Sequence, residues 1–314
     1  MTATNLKACI DIGGTKVAVS LARGDGLELL ARRSEPTVRT GPPEALAVQV
    51  MRMVDQACAE IGVSPASIEQ AGVASCGPFV RVAGMVEIAA PNICGGIAGP
   101  ARGLPNDWRS VPLEALLRQR FVRVCVANDC VAALQAERRW GALQGVDHCA
   151  YVTWSTGIGV GLCVDGHVLQ GKNGNAGHAG HMFVSDNDDA LCGCGNIGDV
   201  ESLVAGNAIA RRFGVDAATL LGRAQAGDTV AAARVGDLCR VLGRALYNLV
   251  VTLDLQRISL GGGVFWNHRH NLLPQLRSHV TGRCGALTTG CELVAAGLGE
   301  RVGDYAALAV LDAG

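Results

Sequence analysis

Two thiols and a carboxylate stand close together in the stretch CGCGNIGD: Cys192, Cys194 and, five residues further on, Asp199. Thiolate and carboxylate both bind zinc, so the spacing suits a small metal site in which the usual third thiol is replaced by an oxygen donor. A second kind of chemistry is written in glycine. ACIDIGGTKVAVSLA and AYVTWSTGIGVGLCVDG share one plan: an alternating strand, a Gly-rich turn carrying a hydroxyl residue, and a second alternating strand. Backbone N–H groups exposed at such turns, beside Thr15, Lys16, Ser155 and Thr156, form a concave donor surface suited to a polyphosphate. Two copies point to a nucleotide clasped between two related halves of the chain. A third glycine run, in RISLGGGVF, ends a strand and would let the backbone approach a flat ligand such as adenine or its ribose. None of the three matches the P-loop or the GxGxxG dinucleotide pattern, so the nucleotide site is of another type.

The elements that must hold these groups alternate between strand and helix. ACIDI and VAVSLA read as strands, and PPEALAVQVMRMVDQACAEIG as a helix with Leu46, Val50, Met53, Val54, Ala57 and Ile61 on one face. AGVAS, MVEIAA and VRVCVAND are further strand candidates, the last preceded by a Gly/Pro-rich loop. A helix, CVAALQAERRWGA, follows Asp129. A longer core helix runs from an Asp228 cap through Val235, Leu238, Leu242, Leu246, Leu249 and Val250. This is α/β organisation, with a change of domain expected near residues 128 to 135.

Composition excludes several partners. The 314 residues, close to half of them apolar, can bury the cores of two domains. Lys and Arg total 27 against 28 Asp and Glu, so no basic field draws in a phosphate backbone, and nucleic acid is not an expected partner. No run approaches the roughly 18 apolar residues that span a bilayer, and the N-terminus lacks a signal-type apolar segment with a cleavage site. No membrane partner is expected, and the cytoplasm is the expected compartment. The 13 cysteines are odd in number and several, such as Cys9, Cys125 and Cys163, sit inside strand-like apolar runs. Most of them read as small buried hydrophobes in a reducing environment.

DIGGTK, AND, STGIGVG, NGNAGHAGH, CGCGNIG with Glu201 shortly after, and LGGGV occur in this order. The series resembles the ROK sugar kinases of the sugar kinase, Hsp70 and actin superfamily, over nearly the whole chain. The resemblance implies a duplicated, ribonuclease H-like fold of two α/β domains around a cleft. The first would cover residues 1–130 and be completed by a returning helix at 300–314; the larger second would cover 131–299 and carry the zinc loop. It implies a transferase that moves a phosphoryl group from Mg-ATP to an alcohol, and a homo-oligomer, dimer or tetramer.

Phosphoryl transfer needs positioning, a divalent ion and a carboxylate to receive the hydroxyl proton. Asp129 is the candidate base, at the carboxyl end of a strand where α/β sheets place their sites, with Asn128 beside it to hold a neighbouring hydroxyl. Asp11 is expected to help hold magnesium, and Gly13, Gly14, Thr15, Lys16, Thr156, Gly157, Gly262 and Gly263 to contact ATP. By resemblance, His181 joins Cys192, Cys194 and Asp199 as a structural zinc ligand, and also meets an acceptor hydroxyl, as do Gly77 and Glu201. Two departures from the family pattern bear on the acceptor. AGHAGH places His178 where the glucokinases carry a glutamate; the N-acetylmannosamine kinases of the family look similar to this chain here, carrying the same AGHxGH. The loop at residues 92–107 is longer than expected for either group. The acceptor reads as a glucose analogue or N-acetylmannosamine, with a glucose-like cyclitol or unusual sugar, or a non-catalytic sugar sensor, as the alternatives. A DNA-binding repressor of this type is not expected, because the first motif begins within about ten residues of Met1.

Overall fold

A computed structural model describes residues 6–24, 27–98, 103–186 and 190–312. The chain divides into two compact units. One comprises Met1–Ala136, Gln170–Ala176 and Arg301–Gly314; the other comprises Glu137–Leu169 and Gly177–Glu300.

The first unit is built on β1 (Leu6–Ile12), β2 (Lys16–Arg23), β3 (Leu29–Pro36), β4 (Gln70–Ser75) and β7 (Arg123–Asn128), with β5 (Phe79–Val82) and β6 (Met85–Ile88) forming a separate hairpin. The sheet order is β3-β2-β1-β4-β7. β1 to β3 are antiparallel neighbours, whereas β4 and β7 run parallel to β1. A parallel neighbour requires a crossover, and helix α1 (Ala45–Glu60) lies in the one between β3 and β4. Its apolar stripe, Leu46, Val50, Met53, Val54 and Ala57, is fully buried, as the helical spacing predicts, whereas Ile61, expected on the same face, is the residue that ends the helix and is only partly buried. Gln49 is buried within the same face. The short helix α2 (Leu113–Leu117) precedes β7, and α3 (Asp129–Trp140) starts directly at its end.

The second unit repeats the plan with β8 (Cys149–Trp154), β9 (Ile158–Val164), β10 (His167–Val168), β11 (Arg257–Gly261) and β12 (Glu292–Ala295), ordered β10-β9-β8-β11-β12. Here too an antiparallel meander is extended by two parallel strands. The connection from β10 to β11 carries α4 (Val200–Val204), α5 (Gly206–Phe213), α6 (Ala217–Gln225) and the long α7 (Thr229–Leu253). Asp228 caps α7 by accepting from the N–H groups of Val230 and Ala231, both at 3.0 Å. The face through Val235, Leu238, Leu242, Leu246, Leu249 and Val250 lies in the core of this unit. After β11 come α8 (Gly263–Trp266), α9 (Arg269–Val280) and α10 (Gly285–Thr288). The chain closes with α11 (Val302–Asp312), which packs on β1, β4 and β7 of the first unit.

The cysteines form no disulfide; Cys9 and Cys163 are buried as expected, whereas Cys125, in the same kind of strand run, is only partly buried, and Cys194 and Cys284 are exposed. Among the described residues, no helix is long and apolar enough to cross a membrane.

Candidate functional site

The hairpin turn of the first unit is Gly13–Thr15, between β1 and β2. Strand register brings its carboxylates together: Ile12 pairs with Ser75, and Ser75 with Asn128, so β1, β4 and β7 end level. Asp11 and Asp129, 118 residues apart in sequence, thereby sense each other's charge. Burial raises the Asp11 carboxyl to about 7, the negative charge of Asp129 adds to the rise, and Lys16 opposes it. A cation placed against this pair would favour the charged form of both.

Asp129 opens α3. The N–H of Cys130 donates to both Asp129 Oδ1, at 2.8 Å, and Asn128 Oδ1, at 3.0 Å. The oxygen of the buried Asn128 is thus occupied by the helix start, and its NH2 end is the part that can meet a substrate hydroxyl. Asn92, the first residue of the long loop, lies against the turn: a Cβ on Gly14 would come within 2.6 Å of its Nδ2. Its Oδ1 accepts from the Cys76 thiol at 3.6 Å. Burial, with Asp129 nearby, pushes that thiol well above its ordinary value and keeps it protonated. Gly77 follows, and beyond it Asn175 clamps both backbone groups of Phe79, with N···O distances of 2.8 Å each. Residues 99–102 of the long loop lie outside the described residues.

In the second unit the corresponding turn is Ser155–Gly157. Its Thr156 side is exposed, while Glu201 lies against Gly157, where a Cβ would come within 2.7 Å of Glu201 Oε2. That oxygen accepts from the N–H of Ile158 at 3.0 Å. Glu201, expected to bind acceptor hydroxyls, therefore has one oxygen engaged by the turn. The glycine run after β11 splits into two kinds of position. A Cβ on Gly262, where φ is +88°, would come within 2.5 Å of Trp154 O, so packing against β8 alone accounts for glycine there. A Cβ on Gly263 would meet nothing within 4 Å, so packing does not account for it.

The metal-type residues of the second unit converge. One ligand atom each from His181, Cys192, Cys194 and Asp199 lies within 4.8 Å of the others. His181 Nδ1 is 3.3 Å from Asp199 Oδ2, 3.7 Å from Cys192 Sγ and 3.5 Å from Cys194 Sγ, and Cys194 Sγ is 3.7 Å from Asp199 Oδ2. Bonds of about 2.0–2.3 Å to a tetrahedral zinc would give donor–donor edges of roughly 3.3–3.8 Å. The separations and the donor set both fit that ion.

Asp199 also has a structural role that its sequence position does not reveal. It is the N-cap of α4, its fully buried Oδ1 accepting from Ser202 N at 2.7 Å. Burial alone would raise its carboxyl, but hydrogen bonds from His181 and from the Ser202 amide outweigh this and lower it to about 2. His178 and His181 form a loose stack, with ring centroids 6.2 Å apart and planes at 26°. Gly177 between the Asn175 clamp and this pair has φ +92°, and its Cβ would strike Val160 O at 2.1 Å, so the histidine turn is pressed directly onto β9.

Sequence reasoning missed the residues that brace the first turn. Thr37 Oγ1 donates to Gly13 O at 2.7 Å, Arg39 Nη2 to Gly14 O at 2.9 Å, and Thr37 N to Thr15 O at 3.1 Å. The one available signal was Gln49, a polar residue on the apolar face of α1. Its amide donates to Pro36 O at 2.8 Å and accepts from Val38 N at 3.0 Å, which pins the bracing segment in place.

Known proteins share this fold over almost the full chain. The model of the ROK family matches residues 7–312. A glucokinase of Aeropyrum pernix is 29% identical over 327 residues, covering 96% of this chain and 95% of its own. An N-acetylmannosamine kinase of Escherichia coli is 33% identical over 261 residues, covering 81% and 82%. Among solved structures, a ROK hexokinase from Thermus thermophilus superposes with a TM-score of 0.77 at 31% identity, covering 97% of both chains. A ROK family glucokinase from Streptomyces griseus, in complex with glucose and AMPPNP, gives 0.73 at 28% identity, covering 98% of both.

Proposed function

The chain belongs to the ROK family and is an ATP-dependent sugar kinase, and from that premise we propose that it phosphorylates a primary hydroxyl of a hexose-like acceptor other than plain glucose, with Asp129 as general base. The observation that carries the base is the carboxylate pair at the strand ends: Asp129 beside Asp11, whose carboxyl is raised to about 7 by burial and by that neighbour. Two such groups suit a site that receives magnesium with its nucleotide and a hydroxyl proton from its acceptor. Asp129 accepts the proton as the acceptor oxygen bonds to the γ-phosphorus, and the bond to the bridging oxygen breaks to release ADP. Asn128 orients a neighbouring hydroxyl through its NH2 group. The turns at Gly13–Lys16 and Thr156–Gly157 supply N–H groups to the phosphates, and Gly263 leaves space beside the nucleotide.

His181, Cys192, Cys194 and Asp199 would hold a structural zinc, which fixes the His181 ring through Nδ1 and leaves Nε2 to meet an acceptor hydroxyl in a defined direction. Protein purified without chelator is expected to contain one zinc per chain, lost in Cys192→Ser with Cys194→Ser; absence of zinc by elemental analysis overturns the assignment. Asp199→Cys separates the two tasks of that residue. It should retain zinc more tightly against a chelator, through a softer ligand, while the metal-free variant is less stable by ~1 kcal/mol for the lost cap.

His178 is assigned to acceptor choice. A carboxylate at this place would take two hydroxyl donors, whereas neutral imidazole offers one acceptor and one donor, which suits an acylamino carbonyl or an altered ring. The test is coupled ADP release over glucose, N-acetylmannosamine and a glucose-like cyclitol. His178→Glu should shift the kcat/KM ratio toward glucose by roughly tenfold, the size of one rearranged hydrogen bond. Unchanged ratios would move acceptor choice to the loop at residues 92–107.

A further inference from the structure

The bracing of the first glycine turn has a directional consequence. In a trans peptide the C=O of one residue and the N–H of the next point in opposite directions. Three consecutive carbonyls, of Gly13, Gly14 and Thr15, are held by donors from the single segment Thr37–Arg39. The N–H groups of Gly14, Thr15 and Lys16 must therefore face away from that segment together, which is the arrangement an anion requires.

The bracing segment is itself fixed at several points. Thr37 is buried, with 4% of its surface exposed. Gln49 of α1 holds the backbone on both sides of it, at Pro36 O and Val38 N. Asn106 Nδ2 donates to Arg39 O at 3.0 Å, while its Oδ1 accepts from Gly95 N at 2.8 Å. The second unit uses the same device with other parts: the carbonyls of Ser155 and Thr156 accept from Gly206 N at 2.8 Å and Asn207 N at 3.3 Å, at the start of α5. Two turns of unrelated surroundings are thus held by their carbonyls from behind. Hairpin stability alone would not require this, since the strands beside each turn are already paired.

We infer that Thr37 and Arg39 are positioning residues for the phosphoryl donor, which act by holding the carbonyls of the first turn so that its N–H groups are set in advance for the phosphates of ATP. The inference rests on the reading that this turn receives those phosphates. Neither residue takes part in proton or phosphoryl transfer; their effect passes through the backbone of Gly13–Lys16. Preorganised donors lose no energy to reorientation when the anion arrives, so the cost of removing a brace falls on donor binding.

The experiment is steady-state kinetics of the full-length enzyme with MgATP varied at saturating acceptor, then acceptor varied at saturating MgATP. Thr37→Val, which keeps shape and removes the hydroxyl donor, should raise KM for MgATP about fivefold. Arg39→Met should raise it about tenfold, each with acceptor KM within about twofold of wild type. Thr37→Ser and Arg39→Lys keep a donor and should recover most of the loss. A brace that served folding alone would lower Tm and leave the two KM values in their original ratio, which would overturn the inference. Thr15→Val tests the underlying reading. If it raises KM for MgATP while the Thr37 and Arg39 variants do not, the turn binds phosphate and the bracing role is wrong. If none of these variants changes KM for MgATP, both the role and the reading fail.

Discussion

Asp129→Asn is expected to lower kcat roughly 100-fold or more at saturating acceptor, with the fold intact. Asparagine has nearly the same size, and its Oδ1 can still accept from Cys130 N, the 2.8 Å bond that helps start α3. What disappears is the group proposed to take the proton. A second readout separates this role from a merely structural one. Because Asp11 has a raised carboxyl, the folded protein holds a proton more tightly than the unfolded chain between about pH 4 and 7, so stability falls as pH rises through that window. Removing the Asp129 charge relieves part of the cause. The variant should then unfold at a higher temperature than wild type at pH 8, with the gap closing as pH falls toward 4. Lower activity with higher stability is the signature of a carboxylate retained for chemistry. Turnover within tenfold of wild type would sink the assignment, and a lower Tm at pH 8 would mark Asp129 as a helix cap first.

Glu137→Gln, a change that is usually mild, should cost the second unit about 3 kcal/mol or more and lower its unfolding temperature by roughly 10 °C. Glu137 is fully buried, and its two oxygens serve four donors from three separate segments. Oε2 accepts from Ala142 N and Gly297 N, both at 2.9 Å, and from Ser259 Oγ at 3.1 Å, while Oε1 accepts from Leu298 N at 2.8 Å. Gly141 is pressed against the carboxylate, so the side chain has no room to turn away. A carboxamide has one acceptor oxygen and would set its NH2 against N–H donors that stay buried. Glu137→Ala removes both oxygens and should be worse. A Tm for Glu137→Gln within about 2 °C of wild type would show that these donors find water or other partners instead.

Much of the fold was legible because local pattern and burial coincide. The stripe through Leu46, Val50, Met53, Val54 and Ala57, and the longer one on α7, follow from helical spacing and are buried as the spacing requires. The two hairpins were legible for the same reason. β3 was not, since LLARRSEP is an edge strand with alternating exposure and four ionic or hydroxyl residues, and it carries little apolar signal. The excursion of Gln170–Ala176 into the first unit was also invisible. It is held at Phe79 by the amide of Asn175, a residue 96 positions away with no local pattern to mark it.

The sequence by itself determined the parts whose chemistry is local: two glycine turns of one design, a carboxylate at a strand end, and four metal-type residues within a short span. Only the tertiary structure decided how those groups behave. It set Asp11 against Asp129, gave Asp199 a helix to cap as well as a histidine to meet, engaged one oxygen of Glu201 with Ile158 N, and made Glu137 a buried hub. The physical reason is the same in each case. A polar side chain's protonation and function depend on its burial and on which donors and charges surround it, and those neighbours come from segments up to 161 residues away in the chain.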